Sequence, residues 1–455
     1  MQLEVIILAA GQGTRMKSSL PKVLHPLAGR ALLEHVLWAA QSLEPREIHV
    51  VIGHGSELVQ QQLSSYSVNW VIQQEQLGTG HGVLQALPSV SADSTVLVLY
   101  GDVPLIRTET LRSLTSLAEC GPALISAQVA DPEGYGRILR DENGALRGVV
   151  EHKDATEEQR TISEVNTGLL AAPAADLFEY LPQVRNDNQQ GEYYLPDILS
   201  LSVAAGKPVA NVLVESELEV LGVNDRQQLN VLEREYQRLQ AEHLMRAGVT
   251  LADASRLDIR GNLSCATDVS IDVNVVIEGE VSLAAGAIIG ANCVLRDVRI
   301  GTGTIVHPMS HLEGVVVGDN CHVGPYARLR PGTVLAEGAK IGNFVETKKT
   351  QVGAGSKINH LSYVGDSKLG ERVNVGAGTI TCNYDGVNKH ETNLGDGVFV
   401  GSNSTLVAPL SVEAQGFVAA GSTVTKDVKE DELAVGRGRQ RNISGWQRPG
   451  KQGED

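Results

Sequence analysis

Residues 317–341 read VGDNCHVGPYARLRPGTVLAEGAKI, with aliphatic residues at every sixth position: Val317, Val323, Leu329, Leu335 and Ile341. Glycine follows three of them, at Gly318, Gly324 and Gly342. A spacing of six fits neither the 3.6-residue helix nor the two-residue alternation of a half-buried strand. It fits a solenoid in which three short strands make one triangular coil. The aliphatic side chain then points into the prism, and the small residue after it permits the corner. The series extends upstream through Ile271, Ile277, Leu283, Ile289 and Leu295. Downstream it returns at Val352, Ile358 and Val364, and again at Leu394, Val400, Leu406, Val412, Val418 and Val424. A parallel β-helix is therefore predicted for the second half of the chain. Residues 379–393 (TITCNYDGVNKHETN) break the period and are predicted to leave the prism as a loop. Residues 343–351 (NFVETKKTQ) are predicted to perturb it more mildly. Insertions in a rigid solenoid are where binding and chemistry are usually carried.

The first half has a different texture. Apolar strand-like runs at 5–10, 48–53, 68–72 and 96–99 alternate with helical stretches such as 31–42. This pattern predicts a Rossmann-like α/β domain, its sheet mostly parallel with helices on both faces. At Arg226–Arg246 the texture changes again, with Leu229, Leu232, Tyr236, Leu239 and Leu244 at helical spacing among Glu, Gln and Arg. One long amphipathic helix is expected there, its apolar stripe packed on the adjoining domains. Three segments follow: 1–225, a linker helix at 226–247, and a β-helix with a tail at 248–455.

Composition narrows the function. The chain has 455 residues and a net charge of −16. No basic block precedes the tail that carries Arg437, Arg439, Arg441 and Arg448, so a nucleic-acid binder is not expected. Five cysteines, odd in number and without CxxC spacing, speak against a disulfide framework or a zinc site. The opening MQLEVIILAAG reads as a buried strand rather than a signal peptide. No apolar run reaches membrane-spanning length. A cytoplasmic enzyme without membrane insertion is expected.

The first strand runs into Gly11-Gln12-Gly13-Thr14-Arg15-Met16. Glycines let backbone N–H groups approach phosphate oxygens closely. Arg15 and Lys22 would add two cations able to neutralise a triphosphate and a transferring phosphoryl group. Asp102 ends a strand at the edge where parallel sheets place ligands. By residue type alone it is open between a Mg²⁺ ligand and a strand-end turn residue, and Asn224 reads as a turn residue.

In the second half, a histidine is the side chain best suited to act as a general base near neutral pH. His360, in KINHLSYVGD, follows the inward Ile358 and should sit on a coil face or edge. His307, His311, His322 and His390 lack such a setting. Spacing alone leaves His360 open between a solvated residue and a base. Arg330 and Lys348, about one coil apart, can face the same groove, and Glu346 is open between a supporting residue and a surface charge.

The motifs are more specific than their separate residues. LAAGQGTRM and LPKVLHPLAG resemble the signature of sugar-1-phosphate nucleotidyltransferases. EQLGTGHG, YGDVPL, GYGRI, EHKDA, NTG, GEYYLPD and GVND follow in order, from Glu75 to Asp225. With the β-helix attached, the chain resembles the bifunctional bacterial N-acetylglucosamine-1-phosphate uridyltransferase/glucosamine-1-phosphate acetyltransferase family from Leu3 to Arg437. That resemblance implies a left-handed β-helix and a homotrimer with acetyl-transfer sites shared between subunits. It implies that UTP and the sugar nucleotide are held by Leu8, Ala9, Ala10, Gly11, Lys22, Gln73, Gly78, Thr79, Tyr100, Gly101 and Asp102. Gly136, Glu151 and Asn166 would hold the sugar, and Asp102 and Asn224 would hold Mg²⁺. Glucosamine 1-phosphate would meet His360 as base, with Arg330, Lys348, Tyr363 and Asn374. Asn383 and Tyr384 would complete that pocket and reach acetyl-CoA, whose channel Ala377, Ser402, Ala420 and Arg437 would line. The implied products are N-acetylglucosamine 1-phosphate, then UDP-N-acetylglucosamine, a precursor of peptidoglycan and lipopolysaccharide. The tail GRGRQRNISGW is richer in arginine than the family pattern, which weakens the carry-over to Arg437.

Overall fold

The computed structural model describes residues 2–449. Met1 and residues 450–455, at the outer ends of the first and third predicted segments, lie outside the described residues. The chain divides into two compact units, Met1–Leu239 and Gln240–Asp455.

In the first unit β1 (Leu3–Ala9) pairs in parallel with β2 (Glu47–Ile52) on one side and with a strand at Thr95–Tyr100 on the other. Β-branched and leucine side chains alternate between the two faces of β1. Val5 and Ile7 pack with Leu33, Val36 and Leu37 of the helix Leu32–Gln41. Ile6 packs on the other face with Val83, Ala86 and Ile198. Helices thus cover both faces, as expected for a parallel sheet whose strands are apolar throughout. The expectation of a mostly parallel sheet needs one amendment. The strand Glu164–Pro173 lies between its neighbours antiparallel to both. Hydrophobic patterning reports which residues are buried and not which way a strand runs, so this reversal is invisible to it. The parallel strands end together at Ala9, Ile52, Ile72 and Tyr100. That edge brings Gly11, Gln73 and Asp102 into one region.

The second unit is a parallel β-helix. One coil is made by the strands His322–Val323, Arg328–Leu329 and Val334–Leu335. Each pairs in parallel with the next coil, through Val323↔Ile341, Leu329↔Thr347 and Leu335↔Val352. Every predicted inward aliphatic from Ile271 to Val424 is at most 6% exposed. The corner after Ile341 needs glycine, because a Cβ on Gly342 would collide with the Asn359 carbonyl of the next coil.

Both predicted interruptions are smaller than expected. Within 379–393, Ile380–Cys382 pairs with Thr405–Val407, and Thr392–Leu394 pairs with Leu410–Val412. Only the segment between those strands projects. The stretch 343–351 holds a regular strand, Glu346–Val352. Threonine explains both differences. Thr347, Thr350, Thr379, Thr381 and Thr392 occupy inward positions at 2% exposure or less. Threonine has the shape of valine, and most of these hydroxyls are satisfied internally: Thr350 donates to the Val364 carbonyl at 2.9 Å and Thr379 to that of Gly376 at 2.7 Å.

Arg226–Arg246 is helical throughout. Leu232 is buried with Met16, Leu27 and Leu32, and Leu244 belongs to the prism core. Leu239 is 39% exposed, so the expected apolar stripe is interrupted there.

Candidate active sites

In the first unit a cleft of about 230 Å³ opens at the strand ends. Leu8, Ala9, Ala10, Gly11, Lys22, Gln73, Gly78, Thr79, Tyr100 and Asp102 line it, as do Gln76 and Glu192, which the sequence reading passed over. Gly13 adopts φ +63, and a side chain there would run into Lys22. This glycine therefore lets the turn close against the base of Lys22. The Lys22 ammonium contacts the Asp102 carboxylate and lies 3.4 Å from Asn224 Oδ1. The Val223 N–H donates to the Asp102 carbonyl at 2.9 Å, which ties the Asn224 turn to the strand end. Arg15 is exposed on the short turn Thr14–Met16 and does not line the cleft. Gly101 is buried behind it.

Asp102 and Asn224 thus aim a carboxylate and an amide oxygen at one cation, here the Lys22 ammonium. Two hard oxygen donors fit Mg²⁺, which keeps water and phosphate oxygens for its remaining positions. Among the described residues no group of three or more His, Cys, Asp or Glu could hold a metal unaided.

An adjoining cavity of about 250 Å³ is lined by Gly136, Glu151 and Asn166, with Tyr194 and, shared with the cleft, Thr79, Tyr100 and Glu192. The Asn166 N–H donates to the Gly136 carbonyl at 2.8 Å. Burial first, then the negative charges of Asp197, Asp154 and Glu192, push the Glu151 carboxyl up. Burial likewise pushes the Tyr100 hydroxyl up, so it stays neutral and able to donate.

In the second unit His360 ends the strand Lys357–His360 and is exposed. Its Nδ1 is 2.7 Å from Asn343 Oδ1 in the preceding coil. An amide oxygen only accepts, so Nδ1 carries the proton, and in the neutral ring Nε2 is the nitrogen with the lone pair. Arg330 donates to Glu346 at 2.9 Å, one coil on. Lys348 stands beside Lys389, whose contact and charge, followed by the charge of Arg330, hold its ammonium below the usual lysine range. Three cations therefore converge, and an anion is the natural occupant. Lys389 was not expected. It lies within the quoted loop, and the signal for it was only that a lysine on a protruding segment can reach back.

Tyr363 and Asn383 meet over Gly365, where a Cβ would strike the tyrosine hydroxyl and the amide. Asn383 is buried and donates to Asp366, whereas Tyr384 is 59% exposed. Asn374 stands on the face that carries Lys357 and Phe399. Ala377, Ser402 and Ala420 stack one coil apart at one corner, through Asn403 N–H to Ala377 O at 2.7 Å and Gly421 N–H to Ser402 O at 2.8 Å. The Arg437 guanidinium donates to the Ala420 carbonyl. His390 has a charged partner on the projecting loop, its Nε2 lying 2.7 Å from Asp385 Oδ2. A contact across five residues of a loop leaves no trace in a six-residue period.

Residues 5–188 match the MobA-like NTP transferase domain, and residues 259–345 match the GMPPB C-terminal domain. Relatives named bifunctional protein GlmU match along nearly the whole chain. The one from Marinobacter nauticus is 58% identical over 450 residues, covering 99% of each protein. That from Alkalilimnicola ehrlichii is 57% identical over 449 residues, covering 99% of this chain and 97% of the relative. That from Pseudomonas putida strain GB-1 is 53% identical over 452 residues, covering 99% of each. The chain accordingly belongs to the GlmU family, bifunctional transferases that acetylate glucosamine 1-phosphate from acetyl-CoA and, with Mg²⁺, join the product to UMP from UTP, giving UDP-N-acetylglucosamine for the cell wall.

Proposed function

We propose that the two reactions are divided along the chain: uridylyl transfer in residues 1–225, a linker helix at 226–247, and acetyl transfer in residues 248–455. The observation that carries this division is the presence of two unlike charge clusters. Lys22 with Asp102 and Asn224 suits a triphosphate at a sheet edge. Arg330, Lys348 and Lys389 suit a monophosphate on a coil face in the unit that carries the base His360.

For acetyl transfer, the three cations hold the phosphate of glucosamine 1-phosphate. His360 Nε2 takes a proton from the sugar amine, whose nitrogen bonds to the thioester carbonyl carbon. The C–S bond breaks, and the coenzyme leaves as a thiolate that picks up a proton. Ala377, Ser402, Ala420 and Arg437 line the path of acetyl-CoA, with Asn383, Tyr384, Tyr363 and Asn374 around the sugar.

For uridylyl transfer, the anionic phosphate oxygen of N-acetylglucosamine 1-phosphate bonds to the α-phosphorus of UTP, and pyrophosphate leaves. No proton moves, so catalysis is positioning and charge neutralisation. Gln73, Gly78 and Thr79 orient the nucleotide and Lys22 neutralises phosphate charge, with Arg15 closing over it. Gly136, Glu151 and Asn166 grip the sugar. Bound Mg²⁺, held by Asp102 and Asn224, would stabilise charge on the transferring phosphate.

A homotrimer with shared acetyl sites is part of the same proposal. Met309, Tyr326, Phe344 and Leu361 are large apolar side chains, 47 to 63% exposed, in successive coils. Tyr326 and Phe344 stack at 5.2 Å, and Leu361 adjoins His360. An exposed apolar ladder of this kind marks an interface. A cytoplasmic location is proposed too, supported by five unbridged cysteines. Among the described residues no helix is long and apolar enough to cross a membrane.

One assay tests the division. The full chain receives glucosamine 1-phosphate, acetyl-CoA, UTP and Mg²⁺, and products are separated by mass. D102A should accumulate N-acetylglucosamine 1-phosphate. H360A should make UDP-N-acetylglucosamine only when supplied with that intermediate. Loss of both activities in either variant would refute the division, and sedimentation as a monomer would refute the shared sites.

A further inference from the structure

Arg137 is a charge in an unexpected place. Its side chain is 1% exposed, yet its acceptors are neutral. They are the Tyr135 carbonyl, His152 Nδ1 at 3.4 Å and the Arg160 carbonyl at 3.4 Å. Its Nε is buried with no hydrogen-bond partner among the described residues. Taking a guanidinium out of water without a carboxylate against it is costly, and an apolar residue of the same volume would avoid that cost. Folding alone therefore gives no reason for a charge here.

The surroundings supply one. Tyr135 precedes Gly136, and His152 follows Glu151. Arg137 also pairs with Val165, the neighbour of Asn166. We propose that Arg137 is a positioning residue for the sugar-phosphate half of uridylyl transfer: its guanidinium ties the segment presenting Gly136 to the one presenting Glu151, and its strand pairs with the segment presenting Asn166. The inference rests on the assignment of those three residues to the sugar pocket.

Charge supports the same role. Glu151 is faced by Asp197, Asp154 and Glu192, and lies within electrostatic reach of the Tyr100 and Tyr194 hydroxyls. Burial and the three carboxylates push its carboxyl up, and Arg137 opposes them. Arg137 itself feels Arg160, Asp131 and Glu151. A carboxylate that accepts sugar hydroxyls must be ionised, and Arg137 favours that form from outside the pocket lining, where it does not compete for the substrate. The neutral acceptors leave that charge unspent on a partner of its own.

The experiment is steady-state uridylyl transfer by the full chain, with UTP and N-acetylglucosamine 1-phosphate varied separately across pH. The variants are R137M, R137K and E151Q. R137M should raise the KM for the sugar phosphate about tenfold and leave the KM for UTP within twofold. Its acid limb of kcat/KM for the sugar should move to higher pH, because Glu151 loses the cation that opposes its upward shift. R137K keeps the charge without the planar fork. It should restore the acid limb and recover only part of the KM. Acetyl transfer, measured in the same samples, should be unchanged, and the parental KM for UTP reports that the first unit is folded. If R137M does not fold, R137K decides: a sugar KM and acid limb both equal to the parent overturn the proposal. Equal losses toward UTP and sugar would also overturn it, showing a general structural role. If E151Q weakens the sugar while the Arg137 variants do not, only this inference fails. If E151Q leaves the sugar KM unchanged, the pocket assignment beneath it fails.

Discussion

His360 Nδ1 sits 2.7 Å from Asn343 Oδ1, one coil away along the β-helix. The contact fixes the ring and its tautomer together, leaving Nε2 as the proton acceptor. N343A should lower kcat for acetyl transfer by roughly ten- to a hundredfold, a fraction of what a positioned base contributes. KM for glucosamine 1-phosphate and the whole of uridylyl transfer should stay near parental values. Acetyl transfer by N343A at the parental rate would mean that the amide does not orient the ring.

Lys389 crowds Lys348 to the point of depressing its ammonium, with Arg330 adding to the effect. Like charges held together favour binding of an anion, which relieves them. K389A should raise KM for glucosamine 1-phosphate about tenfold, the weight of a charge-assisted hydrogen bond, and leave kcat largely intact. The parental KM should rise with ionic strength more steeply than that of K389A, because the exposed cluster is screened. Matching salt slopes would remove Lys389 from the phosphate site.

The β-helix was legible because its interior is one repeated decision. From Ile271 to Val424 each coil needs an inward aliphatic and a tight corner, and both leave a mark in sequence. Where threonine stands in the aliphatic series, at Thr347 and Thr381, the mark vanished although the coil continued. The antiparallel strand Glu164–Pro173 left no mark, since burial is blind to direction. The clusters were legible in part. Arg330 and Lys348 follow from position on the coil, whereas Lys389 depends on how a projecting loop folds back. Nothing in GYGRI singles out Arg137, and only its burial sets it apart.

Thr333 Oγ1 and Thr347 Oγ1 are 3.1 Å apart inside the prism, both at 1% exposure or less. T347V should leave the Thr333 hydroxyl buried without a partner and destabilise the second unit by about 1–3 kcal/mol. T333V/T347V should return to within about 1 kcal/mol of the parent, because both hydroxyls leave together and the shape is kept. Chemical denaturation followed by loss of acetyl transfer reads both. A double variant weaker than the single one would show that the pair is needed in its own right.

Asp197 provides a pH test that is read in stability. Burial first, then the charges of Asp154 and Asp187, push its carboxyl up to about 6 from an ordinary value of 3.8. A carboxyl raised on folding binds its proton more tightly in the native state. It therefore opposes folding above about pH 6, and this penalty fades as pH falls toward 3.8. D197N removes the charge and keeps the shape. At pH 7.5 it should melt at a higher temperature than the parent, and the two should converge near pH 4. The comparison is made by thermal melts of the full chain across that range, following the transition at which uridylyl transfer is lost. A gain that stays constant with pH would assign the effect to packing or hydrogen bonding, and a loss at pH 7.5 would show that the ionised Asp197 is paired in the native state.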